Sequence, residues 1–282
     1  MNHKEALNSI TNSMDLTEIC GLHLYTDQNM FDQLETTYID DLLAGYHLAY
    51  ARFATMIFCE GANIPLDFFP QSNIVLTQNQ EIFRQLYHSP QKFDLLPEWV
   101  NGYVNFRKSV YVRRVRDIGK KGMNLDDMAH EVTHTALPDI LNLSADYLQD
   151  NWPTWINEAF CVGLNQRKPI EWLQHEIKYQ PRPLTIDQIT NHGIFSIDQR
   201  RPEENTAYQY CVIVTERFGQ QIAQKLYPNP HRLRHIPSGF YAICDLTQQA
   251  ARNNATFKDS VNQIGINIIE VEESVQAELG VA

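Results

Sequence analysis

The feature that most constrains this chain is His130-Glu131-Val132-Thr133-His134, set inside a helical run from Asn124 to Leu137. On an α-helix, residues four apart differ by about 40° of rotation, so both imidazoles leave one face a turn apart. Two ligands of a single tetrahedral zinc ion need that placement. Glu131 follows the first histidine, where its carboxylate can reach a metal-activated water and take its proton. Asn124 is expected as N-cap, Asp126 and Asp127 fall in the positive first turn, and Pro138 is expected to stop the helix. A chance match on a surface helix is the alternative. The residues downstream decide between the two.

With 282 residues, the chain is long enough to bury a real core as one large domain or two lobes. Residues 1–15 are polar and lack the apolar stretch of a secretory signal. The most apolar run, Ala54 to Cys59, is too short to span a membrane. Five cysteines (Cys20, Cys59, Cys161, Cys211 and Cys244) are odd in number and form no Cys-x-x-Cys pair. They read as reduced, mostly buried thiols of a cytoplasmic protein rather than a disulfide framework or a cysteine zinc site. A formal charge of −11 argues against general nucleic-acid affinity. The exception is a basic run, Arg107, Lys108, Arg113, Arg114, Arg116, Lys120 and Lys121, which reads as a solvated strand and loop.

Periodicity predicts a strand over residues 16–25, a long helix from Asn29 to about Glu60, and a short apolar strand over Asn73–Thr77. A helix over 79–87 follows, then an edge-type strand over Ser109–Val115, rich in β-branched residues, and then the motif helix. Beyond Pro138 the chain turns helical over 153–165, 170–179, 186–192 and 206–226, and residues 238–282 carry two or three modest helical segments. An α+β fold is expected. Residues 1–138 form a lobe with a small mixed sheet that ends in the motif helix, residues 139–228 form a helical lobe, and residues 229–282 form a helical extension.

A zinc peptidase needs three protein ligands and one open position. The best third candidate is Glu158, in Trp152-Pro153-Thr154-Trp155-Ile156-Asn157-Glu158-Ala159, with Pro153 suited to a first helical turn. Trp152, Trp155, Ile156, Phe160 and Val162 mark that helix as largely buried, and a carboxylate in such a setting wants a cation. Asp139, Asp146, Asp150 and His175 compete, in less apolar settings. His231 and His235 repeat the four-residue spacing between Pro230 and Pro237, in a segment too short for a sturdy helix, so that spacing reads as coincidence.

His-Glu-x-x-His followed at this distance by Trp155-Ile156-Asn157-Glu158 resembles the gluzincin branch of zinc metallopeptidases, and within it the peptidase MA-like group. That group typically carries Gly where this chain has Ala159. The similarity extends to Asn73–Thr77, Glu81-Ile82-Phe83, Gly102 leading to Val110-Tyr111-Val112, and the segment from Ala207-Tyr208 to Phe218-Gly219. The resemblance implies a zincin-like fold with a cleft between the lobes, a zinc ion held by His130, His134 and Glu158, and Glu131 as general base. It also implies a tyrosine that donates to the oxyanion. Tyr208 and Tyr210 both fit, on different helix faces, and the Ala-Tyr context favours Tyr208. An extended peptide or protein substrate is implied along the sheet edge at Ser109–Arg116. If Arg113, Arg114 or Arg116 borders the cleft, acidic substrate side chains would be favoured.

A zinc endopeptidase is thus expected. The alternatives are an aminopeptidase, for which no Gly-x-Met-Glu-Asn type motif appears, and a catalytically silent zincin-fold protein that binds a partner. A structural site has no use for a base at Glu131, which weighs against the second. Phosphate binding by the basic run is the weakest reading given the overall acidity.

Overall fold

The computed structural model describes residues 11–34, 36–58, 72–87, 102–105, 110–115, 125–178, 185–191, 204–227 and 239–280. The expected N-cap Asn124, the pair His231 and His235, and the basic residues Arg107, Lys108, Arg116, Lys120 and Lys121 lie outside them. The chain is a mixed α+β protein, mostly helical, with one five-stranded sheet. It divides into two compact units. The first comprises Met1–Arg52, Asn63–Ile140 and Ser144–Gln149, and the second Phe53–Ala62, Leu141–Leu143 and Asp150–Ala282.

The first unit starts with a hairpin where one strand was expected. β1 (Asp15–Ile19) pairs antiparallel with β2 (Leu22–Thr26) across a two-residue turn. Both turn residues have positive φ, 49° at Cys20 and 85° at Gly21, the backbone twist that tight hairpins favour. A 3₁₀ turn at Phe31–Gln33 precedes α1 (Thr36–Phe58), so the expected long helix starts later than Asn29. α1 crosses over to β3 (Ser72–Thr77), parallel to β2. α2 (Gln80–Leu86) follows, capped by Asn79, whose side chain accepts from Glu81 N at 2.9 Å. β4 (Gly102–Asn105) then pairs antiparallel with β5 (Val110–Arg114), which is parallel to β3.

The sheet order is β1-β2-β3-β5-β4. β5 is therefore an interior strand, bonded on both sides, and not the edge expected at Ser109–Arg116. The four-residue β4 takes the edge instead. Side chains alternate across β5. Tyr111 faces a core built from α1 (Tyr38, Leu42, Tyr46) and the strands (Leu22, Leu24, Ile74, Leu76). Arg114 points to the opposite face, where it donates to Gln80 Oε1 at 2.6 Å and covers the Phe83 ring.

The second unit is helical. After α4 (Ala145–Asn151), a short helix absent from the sequence-based expectation, come α5 (Thr154–Asn165), α6 (Ile170–Ile177) and α7 (Ile186–Asn191). α8 (Glu204–Leu226) packs against α5, and against α9 (Gly239–Arg252) and α11 (Ile268–Leu279), with α10 (Phe257–Gln263) beside α9. The tail thus carries three helices, two of them opened by side-chain caps: Thr256 accepts from Asp259 N and Asn267 from Ile269 N, each at 3.0 Å. Phe218-Gly219 lies inside α8. A Cβ on Gly219 would stand 2.0 Å from the Gly239 carbonyl oxygen, so the bare backbone is what lets α8 and α9 touch. Trp152 Nε1 donates to Thr247 Oγ1 at 2.9 Å, which satisfies an indole buried against Phe160.

Among the described residues, no helix is long and apolar enough to cross a membrane. Cys161, Cys211 and Cys244 are buried free thiols, Cys20 is exposed, and Cys59 lies outside the described residues.

Candidate metal centre

The motif helix α3 (Leu125–Ile140) is positioned by its apolar face. Met128, Ala129, Val132 and Ala136 recur at helical spacing and are buried in the core of the first unit. α3 packs on β3, β4 and β5. It also approaches α1 closely: a Cβ on Gly45 would stand 2.6 Å from Met128 Cγ. Arg52 on α1 pairs with Asp126 in the first turn of α3 at 2.9 Å. The helix does not stop at Pro138. That residue falls in the last turn, where its missing N–H costs one bond to the His134 carbonyl, and the helix ends two residues later, at Ile140. Asn142, with φ of 52°, then turns the chain away.

With one face of α3 buried, His130 and His134 project together. Their Nε2 atoms are 3.1 Å apart and their rings meet nearly perpendicular, at 83°. Two nitrogens bound at about 2.05 Å around a tetrahedral ion would stand roughly 3.3 Å apart, so the pair needs little adjustment. His134 is buried and His130 half-buried. Thr133 is buried and donates to the Ala129 carbonyl at 2.7 Å.

Glu158 comes from α5. Pro153 is the N-cap of that helix rather than its first residue, and its carbonyl accepts from Ile156 N at 3.0 Å. Trp155, Ile156, Ala159, Phe160, Cys161 and Val162 are buried, leaving Glu158 half-buried among them. The ligand atoms of His130, His134 and Glu158 all lie within 4.8 Å of one another. Among the described residues this is the only trio of histidine, cysteine or acidic side chains that could hold a metal ion. None of the rival candidates belongs to this group; His175, for one, is exposed and pairs with Glu176 at 3.3 Å. Two imidazoles and one carboxylate form a donor set that suits zinc and leaves a fourth position for water.

Glu131, next to His130, is half-buried. Its charge is felt by Tyr111: burial pushes that phenol's pKa well above its ordinary value, Glu131 pushes it further, and Arg113 opposes. Arg113 Nη1 stands 3.5 Å from the Tyr111 hydroxyl. Burial works against the Arg113 charge, yet contacts with Tyr111 and Tyr38 hold its pKa above the usual value. Neither tyrosine has a role of its own in the sequence reading: Tyr38 is one apolar position of the long helix, and Tyr111 enters only within the Val110-Tyr111-Val112 resemblance. Gly102 is explained here too, because a Cβ there would stand 2.7 Å from the Tyr111 hydroxyl.

The two tyrosines of α8 part company. Tyr210 is fully buried and donates to Glu272 Oε1 at 3.0 Å, a contact inside the second unit. Tyr208 is half-buried. It lies three residues before Cys211, hence beside it on one face of α8. Burial raises the Cys211 thiol's pKa, and the nearby Glu158 and Glu272 carboxylates raise it further.

No protein-family model matches the chain, and no curated protein matches it.

Proposed function

We propose that the chain is a zinc-dependent peptidase of gluzincin type. The observation that carries this reading is the convergence of the two Nε2 atoms, 3.1 Å apart, with the Glu158 carboxylate near both and a non-ligand Glu131 beside them. His130, His134 and Glu158 would hold the ion. Zinc, when bound, supplies Lewis acidity that lowers the pKa of a coordinated water toward about 7.

The chain's own groups do the rest. Glu131 accepts the proton of the attacking water and hands it to the leaving amine, serving first as base and then as acid. The Tyr208 hydroxyl donates to the oxyanion developing on the scissile carbonyl. Tyr210 is committed to Glu272, which favours Tyr208 for this role. An extended peptide would add to the free edge of β4, since β5 is bonded on both sides. Free thiols at Cys161, Cys211 and Cys244 support a reducing, cytoplasmic setting.

The test is metal content and cleavage of an unfolded protein mixture by wild type, Glu131→Gln and His134→Ala. Zinc in the first two with cleavage only by the first is expected. Zinc with no cleavage by any form would move the assignment to a silent, partner-binding zincin-like protein.

A further inference from the structure

Arg113 is a cation the proposed chemistry does not use. It lies two residues after Tyr111 in β5, on the same face of the sheet. That side is covered by α1 and α3, and the Arg113 side chain is half-buried. Its guanidinium stands 3.5 Å from the Tyr111 hydroxyl and lies close enough to the Tyr38 hydroxyl on α1 to lower that phenol's pKa. Both phenols are pushed above their usual pKa by burial, so they stay neutral and provide oxygen acceptors without a counter-charge. Three other arginines, Arg52, Arg167 and Arg217, pair with carboxylates at 2.9, 2.8 and 2.7 Å. Among the described residues, no carboxylate pairs with Arg113. Its partners are neutral phenol oxygens, so an arriving carboxylate gains a charge-assisted hydrogen bond with no resident anion to displace.

The position ties this cation to the candidate site. Tyr111, which contacts Arg113, also feels the Glu131 charge. Gly102 of the edge strand β4 is the register partner of Arg113 and carries no side chain there. We propose that Arg113, oriented by Tyr38 and Tyr111, is a carboxylate-binding subsite that selects negatively charged peptides. The carboxylate comes from an acidic side chain or from a peptide C-terminus, and both present the same planar pair of oxygens to the guanidinium fork. The subsite's role in substrate choice rests on the peptidase reading; its capacity to bind carboxylates does not.

Binding to the full chain carrying Glu131→Gln separates the two. Four dye-labelled peptides of one length, with or without a Glu residue and with a free or amidated C-terminus, are titrated by fluorescence anisotropy. At least one charged peptide is expected to bind about tenfold or more tightly than the neutral amidated one, the range of a charge-assisted hydrogen bond. The arm that shows the gain identifies the source of the carboxylate. Arg113→Gln, which keeps a donor for the phenols, should abolish the gain and leave the neutral peptide's affinity unchanged, while Arg113→Lys should keep part of it. Equal affinity for all four peptides overturns the proposal whether or not Arg113→Gln folds, as does an equal loss across all four in that variant. Selective binding in a protein whose wild type cleaves nothing would leave the subsite standing and remove the peptidase reading.

Discussion

At the scale of single residues, the histidine spacing made the candidate metal-binding pair legible, because four residues on a helix put two side chains on one face whatever else the fold does. Glu158 was legible for a different reason, a carboxylate in a tryptophan-rich helix. The surroundings of Glu131 were not. Tyr38, Tyr111 and Arg113 meet only through strand and helix packing, and no spacing rule encodes that contact. The two α8 tyrosines give a sharp prediction. Tyr208→Phe should lower kcat about a hundredfold with zinc content unchanged, the usual loss for one oxyanion donor. Tyr210→Phe should leave cleavage intact and cost about 1.5–3 kcal/mol in urea unfolding, because it loses the bond to the Glu272 carboxylate.

At the scale of elements, long periodic segments were readable and short ones were not. α5 and α8 follow their apolar periodicity closely, whereas β4 and α4, four and seven residues long, carry too little pattern to separate from loops. The β1–β2 hairpin was hidden because Leu22 and Leu24 continue the alternation of β1, and Cys20-Gly21 is not a familiar turn pair. Assigning β5 to the edge failed for a related reason: without β4, nothing in the sequence supplies its second neighbour. Gly45 gives the element-scale prediction. Ala at this position would force α1 and α3 apart at Met128, two residues before His130. Gly45→Ala should destabilise the fold by about 1–3 kcal/mol, the usual cost of overpacking, and weaken zinc binding. Adding Met128→Ala should recover part of both losses; a double mutant no better than Gly45→Ala would place the damage elsewhere.

At the scale of the whole molecule, each unit has its own buried apolar residues, and His130, His134 and Glu158 are the one group among the described residues that could hold a metal ion. A metal bound to that set stabilises the folded state by mass action, about 2.7 kcal/mol at a hundredfold excess over Kd. Chelation should therefore lower Tm by several degrees in wild type and leave the Tm of His134→Ala unchanged, as scanning calorimetry would read. The most direct measurement is cobalt substitution followed by visible absorption. One equivalent of Co²⁺ should give the intense bands of a four-coordinate ion. His134→Ala should abolish those bands, and Glu158→Ala should displace and weaken them. A faint six-coordinate spectrum in wild type, or a spectrum indifferent to Glu158→Ala, would contradict a centre built from two imidazoles and this carboxylate.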